Sequence, residues 1–114
     1  MTQLADQECQ ACNAGAPALT GDALANARRE LPEWDLLAEE EPKFARQFSL
    51  SNFEQALSFA NRVGELAEQH NHHPKLIVEW GKVTVHWWTH KIKNVHHTDA
   101  VLAAKTDQIF RDYD

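Results

Sequence analysis

Two short runs rich in β-branched and aromatic residues, Leu76-Ile77-Val78-Glu79-Trp80 and Val83-Thr84-Val85-His86-Trp87-Trp88, are separated only by Gly81-Lys82. No other feature constrains the fold as strongly, because so short a break joins two strands only as an antiparallel hairpin. With Gly81-Lys82 as the turn, Leu76 faces Trp87, Val78 faces Val85 and Trp80 faces Val83. That face is wholly apolar and places Trp80 and Trp87 in the core. The other face sets Lys75, Ile77 and Glu79 against Trp88, His86 and Thr84. A slip of one residue destroys this sorting, so the alternation specifies the register. Carried further, the same register brings His73 opposite His90, with Cβ atoms about 4.5–5.5 Å apart. Ile77 and Trp88 stay exposed on the mixed face of a single copy, which is a reason to expect an oligomer.

The segment before the hairpin has a different period. Phe53, Ala56, Leu57, Ala60, Val63, Gly64 and Ala67 recur at helical spacing. Ser51-Asn52-Phe53-Glu54 reads as a capping box with Ser51 at the cap, and Gly64 on the apolar stripe predicts close packing against a sheet. Pro74 disfavours helical geometry at His73, so this helix ends around Asn71 or His72. Thr98 reads as the cap of a last helix, with Asp99 in its first turn and Val101, Leu102, Ala104, Lys105 and Ile109 following. Upstream, Thr20 caps a short helix that runs to about Leu31 and is stopped by Pro32. Strands are expected from Trp34 to Leu37 and around Phe44, Phe48 and Leu50. Residues 1–19 read as a flexible arm, and residues 20–114 as one domain.

A chain of 114 residues builds a single modest core. Its formal net charge is -6 and its Lys and Arg residues are dispersed, which argues against nucleic acid as a direct partner. No apolar run reaches the ~18 residues of a membrane span. The first twenty residues lack a basic n-region and an apolar h-region, so the cytoplasm is the expected compartment. Cys9 and Cys12 form an isolated C-x-x-C. Zinc needs about four ligands and no second pair follows, so reduced thiols on the arm are the favoured reading.

Chemistry concentrates where the helix, the hairpin and the last helix adjoin. Glu68, His72, His73, His90 and Asp99 are the candidates. Unperturbed imidazoles titrate near pH ~6.5, so such a cluster exchanges protons at neutral pH without a metal. Glu68 and His72 are four apart and share a helix face if the last turn holds; a solvated surface pair is the competing reading. Three histidines can hold zinc, but H-E-x-x-H is absent and the adjacent His72-His73 rings diverge, so acid–base work ranks first. His70, His86, His96 and His97 read as exposed or packing residues. Trp88 can stack on a flat ligand, flank the site, or fill a subunit interface.

In these residues the chain resembles the pterin-4a-carbinolamine dehydratase family. The resemblance runs from about Thr20 to Ile109 and rests on Glu68-x-x-x-His72-His73-Pro74, Trp80-Gly81-Lys82-Val83, Thr89-His90 and Asp99. It implies an α+β fold, with helices packed on one face of a four-stranded antiparallel sheet, and a homodimer or homotetramer. The implied reaction dehydrates 4a-hydroxytetrahydrobiopterin to quinonoid dihydropterin. It needs no cofactor or metal, and it recycles the pterin of phenylalanine hydroxylase. The resemblance puts the active histidines at His72, His73 and His90, with Glu68 and Asp99 in support; Pro74 and Trp88 are expected beside the pterin. The expected proton-transfer pair is His72 and His90, with His73 orienting the pterin. Asn71, Leu76 and the Lys93-Asn94-Val95 segment depart from common family residues. Asn94 can still take left-handed geometry where many members have Gly. The alternative function is that of a dimerisation cofactor for another protein, acting through a helix surface without the histidines.

Overall fold

The helix expected from the stripe at Phe53 to Ala67 forms, with Ala56, Ala60, Val63 and Ala67 buried, but Phe53 and Leu57 of that stripe are exposed while Phe59 and Leu66 take their place in the core. In a computed structural model, which describes residues 18–113, the elements are α1 (Gly21–Arg29), β1 (Asp35–Leu37), β2 (Lys43–Ser49) and α2 (Phe53–His70). They are followed by β3 (Lys75–Glu79), β4 (Lys82–Trp87) and α3 (His97–Phe110), which ends in a 3-10 turn, Arg111–Tyr113. The four strands form one antiparallel sheet in the order β1-β2-β4-β3. The expected fold class is therefore correct. The 1–19 arm, including Cys9 and Cys12, lies almost wholly outside the described residues.

Alternation along the strands explains why the helices cover one face. Phe44, Phe48, Val83, Val85 and Trp87 are buried under α2 and α3, and Phe44 pairs with Trp87 and Phe48 with Val83 across the β2–β4 ladder. Phe48 is the hub of the core. Its ring lies 4.8 Å from Phe59, 4.9 Å from Phe110 and 5.8 Å from Trp34, at tilted or edge-on angles that suit aromatic pairs. Arg46 shares this inward-facing register. Its guanidinium lies over the Phe48 and Phe110 rings and pairs with Asp107 at 2.7 Å.

The hairpin register differs from the expected one by two residues. Leu76 pairs with Val85, Val78 with Val83 and Glu79 with Lys82, so the turn is Trp80-Gly81. Gly81 supplies the reason: its φ of +72° suits the second position of a tight turn, which asks for the left-handed region. Because the slip is even, each strand residue keeps its face. Trp80, however, leaves the core for the turn and is 73% exposed. Trp88 moves the other way. It follows the end of β4, is only 8% exposed, and joins the core cluster, so it is not an exposed interface residue of the single chain; Ile77 is exposed as expected.

Thr20 is the N-cap of α1 as expected, while the caps of α2 and α3 shift by one and two residues. Asn52, and not Ser51, caps α2 by accepting from the Gln55 N–H at 2.8 Å. His96, and not Thr98, caps α3: its Nδ1 accepts from the Thr98 N–H at 3.1 Å. Left-handed geometry in the loop before α3 falls on Lys93, with φ +52°, and not on Asn94. Gly64 makes no close approach to the sheet, since a Cβ there meets nothing within 4 Å. It lines an open groove of about 1000 Å³ between α2 and β3, along with Leu57, Ala60, Glu68, Leu76 and Val78.

Candidate active site

The end of α2 decides where the histidine doublet points. Asn71 takes the left-handed conformation, with φ 48° and ψ 43°. The His72 N–H then donates to the Ala67 carbonyl at 3.1 Å, and the Asn71 N–H to that of Glu68 at 3.3 Å. These two bonds are the Schellman pattern that satisfies the last carbonyls of a helix. They turn His72 inward, while Pro74 holds His73 in extended geometry on the way out. The rings diverge as the sequence suggested.

His72 is 4% exposed. Its ring stacks on Trp87, with centroids 5.9 Å apart and planes within 17°, and its Nε2 lies 2.6 Å from Asp99 Oδ1. Asp99 is fully buried. Its Oδ2 accepts from the Thr89 hydroxyl at 2.6 Å and from the His96 N–H at 2.8 Å. Because a carboxylate only accepts, these donors leave Oδ1 for the imidazole, and Nε2 carries the proton between them.

His73 lies on the outside. Glu68 reaches it, with Oε2 2.5 Å from His73 Nε2, so the Glu68 partner is His73 and not the His72 expected from four-residue spacing. The cause is the same left-handed turn, which removes His72 from the helix face of Glu68. Both partners of this pair are well exposed. Pro74 is half-buried between His73 and the start of β3.

His90 arrives from the far end of the hairpin. Thr89 and Asn94 bridge across a tight loop whose reversal passes through left-handed Lys93. The His90 ring packs 4.3 Å from that of Trp88, and its Nε2 is 3.4 Å from the His73 carbonyl oxygen. His73 and His90 are therefore adjacent, although the register does not place them directly opposite one another. Trp88 backs His90 and sits under the Lys43 ammonium, so it offers little surface to a ligand.

The site thus has two layers, a buried one of His72 and Asp99 and an exposed one of Glu68, His73 and His90. Sequence reasoning missed Trp87 beneath His72, Thr89 on Asp99, and His96 as cap. Asp99 three residues after His96 has the spacing of a capping box, but His is not among the usual cap residues, so the sequence carries no clear signal for this cap. Burial pushes the His96 pKa down, against the opposing pull of Asp99, while His97 and His72 push it lower. Burial likewise lowers the pKa values of His70 and His86. Among the described residues, no three His, Cys, Asp or Glu side chains converge as a metal-holding group, and no helix is long and apolar enough to cross a membrane.

Comparison with known proteins gives a consistent picture. The sequence model of the family described as pterin 4 alpha carbinolamine dehydratase matches residues 17–109. A protein of Syntrophotalea carbinolica is 44% identical over 96% of this chain and 98% of its own length. One of Saccharophagus degradans is 48% identical over 96% and 98%. Both bear the name "Putative pterin-4-alpha-carbinolamine dehydratase". A crystal structure from Brucella melitensis, described as a transcriptional coactivator/pterin dehydratase, aligns with a TM-score of 0.75 at 28% identity, covering 82% of this chain and 98% of that one. A pterin dehydratase-like RuBisCO assembly factor of the alpha-carboxysome has a similar fold, with a TM-score of 0.58 at 17% identity over 68% of this chain and 88% of its own.

Proposed function

For a chain that belongs to the pterin-4-alpha-carbinolamine dehydratase family, we propose general acid–base dehydration of 4a-hydroxytetrahydrobiopterin, with His73 and His90 as the groups that touch the pterin. The observation that carries this reading is the exposed His73–His90 pair set against the buried His72–Asp99 pair. In the reaction the C4a–O bond breaks and the departing oxygen takes a proton from an imidazolium, leaving as water. N5 gives its proton to a neutral imidazole, and the C4a–N5 double bond of the quinonoid product forms. Atoms and charge balance without a redox partner or a metal. Positioned acid–base groups of this kind are typically worth ~10²–10⁴-fold.

The burial of His72 argues against its being one of the proton-transfer pair. A ring held by Asp99 and stacked on Trp87 suits orientation and charge support of the site. His73 and His90, open to solvent, suit proton exchange with a bound ligand. Glu68 beside His73 orients that ring. Recycling of the pterin used by phenylalanine hydroxylase, in the cytoplasm and as a homo-oligomer, completes the proposal.

The test is the ultraviolet decay of the enzymatically generated carbinolamine, with and without the protein, in the presence of a chelator. Acceleration that survives the chelator supports metal-free chemistry; acceleration abolished by it assigns the work to a metal. A second reading, a protein-interaction role, is favoured by the coactivator description of the Brucella melitensis structure. It predicts partner capture that His73→Ala and His90→Ala leave unchanged.

A further inference from the structure

We propose that Thr89 is a positioning residue of the site, fixing the proton of His72 on Nε2 by holding the Asp99 carboxylate in one orientation. The inference rests on the reading of the histidines as the acid–base centre. Three donors meet the buried carboxylate: His72 Nε2 on Oδ1, and the Thr89 hydroxyl and the His96 N–H on Oδ2. The last of these comes from the N-cap of α3, so it follows from the helix start and fixes one end of the carboxylate. A single bond to Oδ2 still allows the group to swing about it. The Thr89 hydroxyl, 2.6 Å from the same oxygen, removes that freedom and leaves Oδ1 aimed at His72.

Thr89 is itself immobilised. It is buried, its N–H donates to the Asn94 carbonyl at 2.8 Å, and its carbonyl accepts from Asn94 N–H at 3.4 Å. The next residue is His90. The Thr89-His90 dipeptide therefore sends a hydroxyl inward to the His72–Asp99 pair and an imidazole outward beside His73. One short stretch of backbone sets the spacing between the two layers of the site. No signal in the sequence assigns this task to Thr89, because its partner lies ten residues away and on a different element.

The chemistry of the donor is specific. A hydroxyl can donate to a carboxylate whether it belongs to Thr or Ser, whereas the isosteric Val leaves one lone pair of a buried oxygen without its donor. The full-length protein would be labelled with ¹⁵N-histidine and its ring tautomers read from two-bond ¹H–¹⁵N correlations, in the wild type, Thr89→Val and Thr89→Ser. Carbinolamine decay would be followed in parallel. We expect the Nε2–H form alone for wild-type His72, a mixture of tautomers in Thr89→Val, and recovery of the single form in Thr89→Ser. Loss of a hydrogen bond to a charged group corresponds to about 10–100-fold in rate, and the loss should fall on kcat, with KM changed by less than about twofold.

An unchanged His72 tautomer in folded Thr89→Val overturns the proposal, as does a Thr89→Ser protein that behaves like Thr89→Val. If Thr89→Val does not fold, Thr89→Ser still decides: a single Nε2–H tautomer supports the role of the hydroxyl, and a mixture contradicts it. The spectra report the Thr89–His72 coupling even from a chain that fails to accelerate dehydration. Failure of the proposed reaction and failure of this inference are thus separate results.

Discussion

His72 Nε2 lies 2.6 Å from Asp99 Oδ1, and this contact ties the exit of α2 to the first turn of α3. The pair is sealed, with the two side chains 3% and 0% exposed. Such a pair does more to specify an arrangement than to add stability, yet removing one partner strands the other. Asp99→Ala should therefore cost about 3–5 kcal/mol in urea unfolding, because His72, Thr89 and the His96 N–H all lose their acceptor. A loss below about 1 kcal/mol, as for a surface pair, would contradict the buried network.

His96 gives the fold a one-sided response to acid. Its Nδ1 accepts the Thr98 N–H, a bond that protonation of Nδ1 removes, and burial holds its pKa below the ordinary imidazole value. The native state consequently binds fewer protons than the unfolded chain. The stability contributed by this group is present above pH ~6.5 and is lost as pH falls below that value. His96→Asn keeps a capping side chain that does not titrate. The stability of the wild type relative to His96→Asn should decline between pH 7.5 and 5; a difference independent of pH would rule the mechanism out.

Asp107 has the opposite sense. Burial raises its pKa, with hydrogen bonds from Trp34 and Arg46 opposing that shift. A carboxyl whose folded pKa is raised contributes most stability when protonated, and the contribution shrinks as pH rises through the carboxylate range. The wild type should gain stability relative to Asp107→Asn on going from pH 6 to 3.5. A gain in the reverse direction would show that the Arg46 and Trp34 contacts outweigh desolvation.

Gly64 offers a test of packing on α2. Since a Cβ there meets nothing within 4 Å, Gly64→Ala should raise stability by about 0.5–1 kcal/mol through helix propensity and reduced freedom of the unfolded chain. A loss of stability, deepening with protein concentration, would mean that the groove between α2 and β3 is filled by a second copy.

The elements were legible in the sequence because period carries them. The 3.6-residue stripe of α2 and the alternation of β3 and β4 survive any error in a cap or a turn. The Trp80-Gly81 turn was not legible, since Gly81-Lys82 and Trp80-Gly81 satisfy the same alternation and only the positive φ of Gly81 separates them. That two-residue difference moved Trp80 to the surface. For the site, the sequence brought His73 near His90 but paired Glu68 with the wrong histidine. Helical spacing extrapolated past Asn71 gives Glu68–His72; the left-handed turn at Asn71 gives Glu68–His73. Asp99 was expected in a first helical turn, but its contacts with Thr89 and His72 depend on how β4 and α3 pack, which no local pattern encodes.

On the proposed reading, His73 and His90 exchange protons with a pterin carbinolamine. Stopped-flow ultraviolet decay of 4a-hydroxytetrahydrobiopterin in chelator, comparing the wild type with His73→Gln, His90→Gln and the double variant, tests it most directly. Each substitution removes an exposed imidazole while leaving the buried His72–Asp99 pair in place. We predict acceleration by the wild type, a loss of about 10²-fold or more in each single variant, and decay at the buffer rate in the double variant. Decay at the buffer rate with folded wild-type protein, or full acceleration by the folded double variant, would contradict the account.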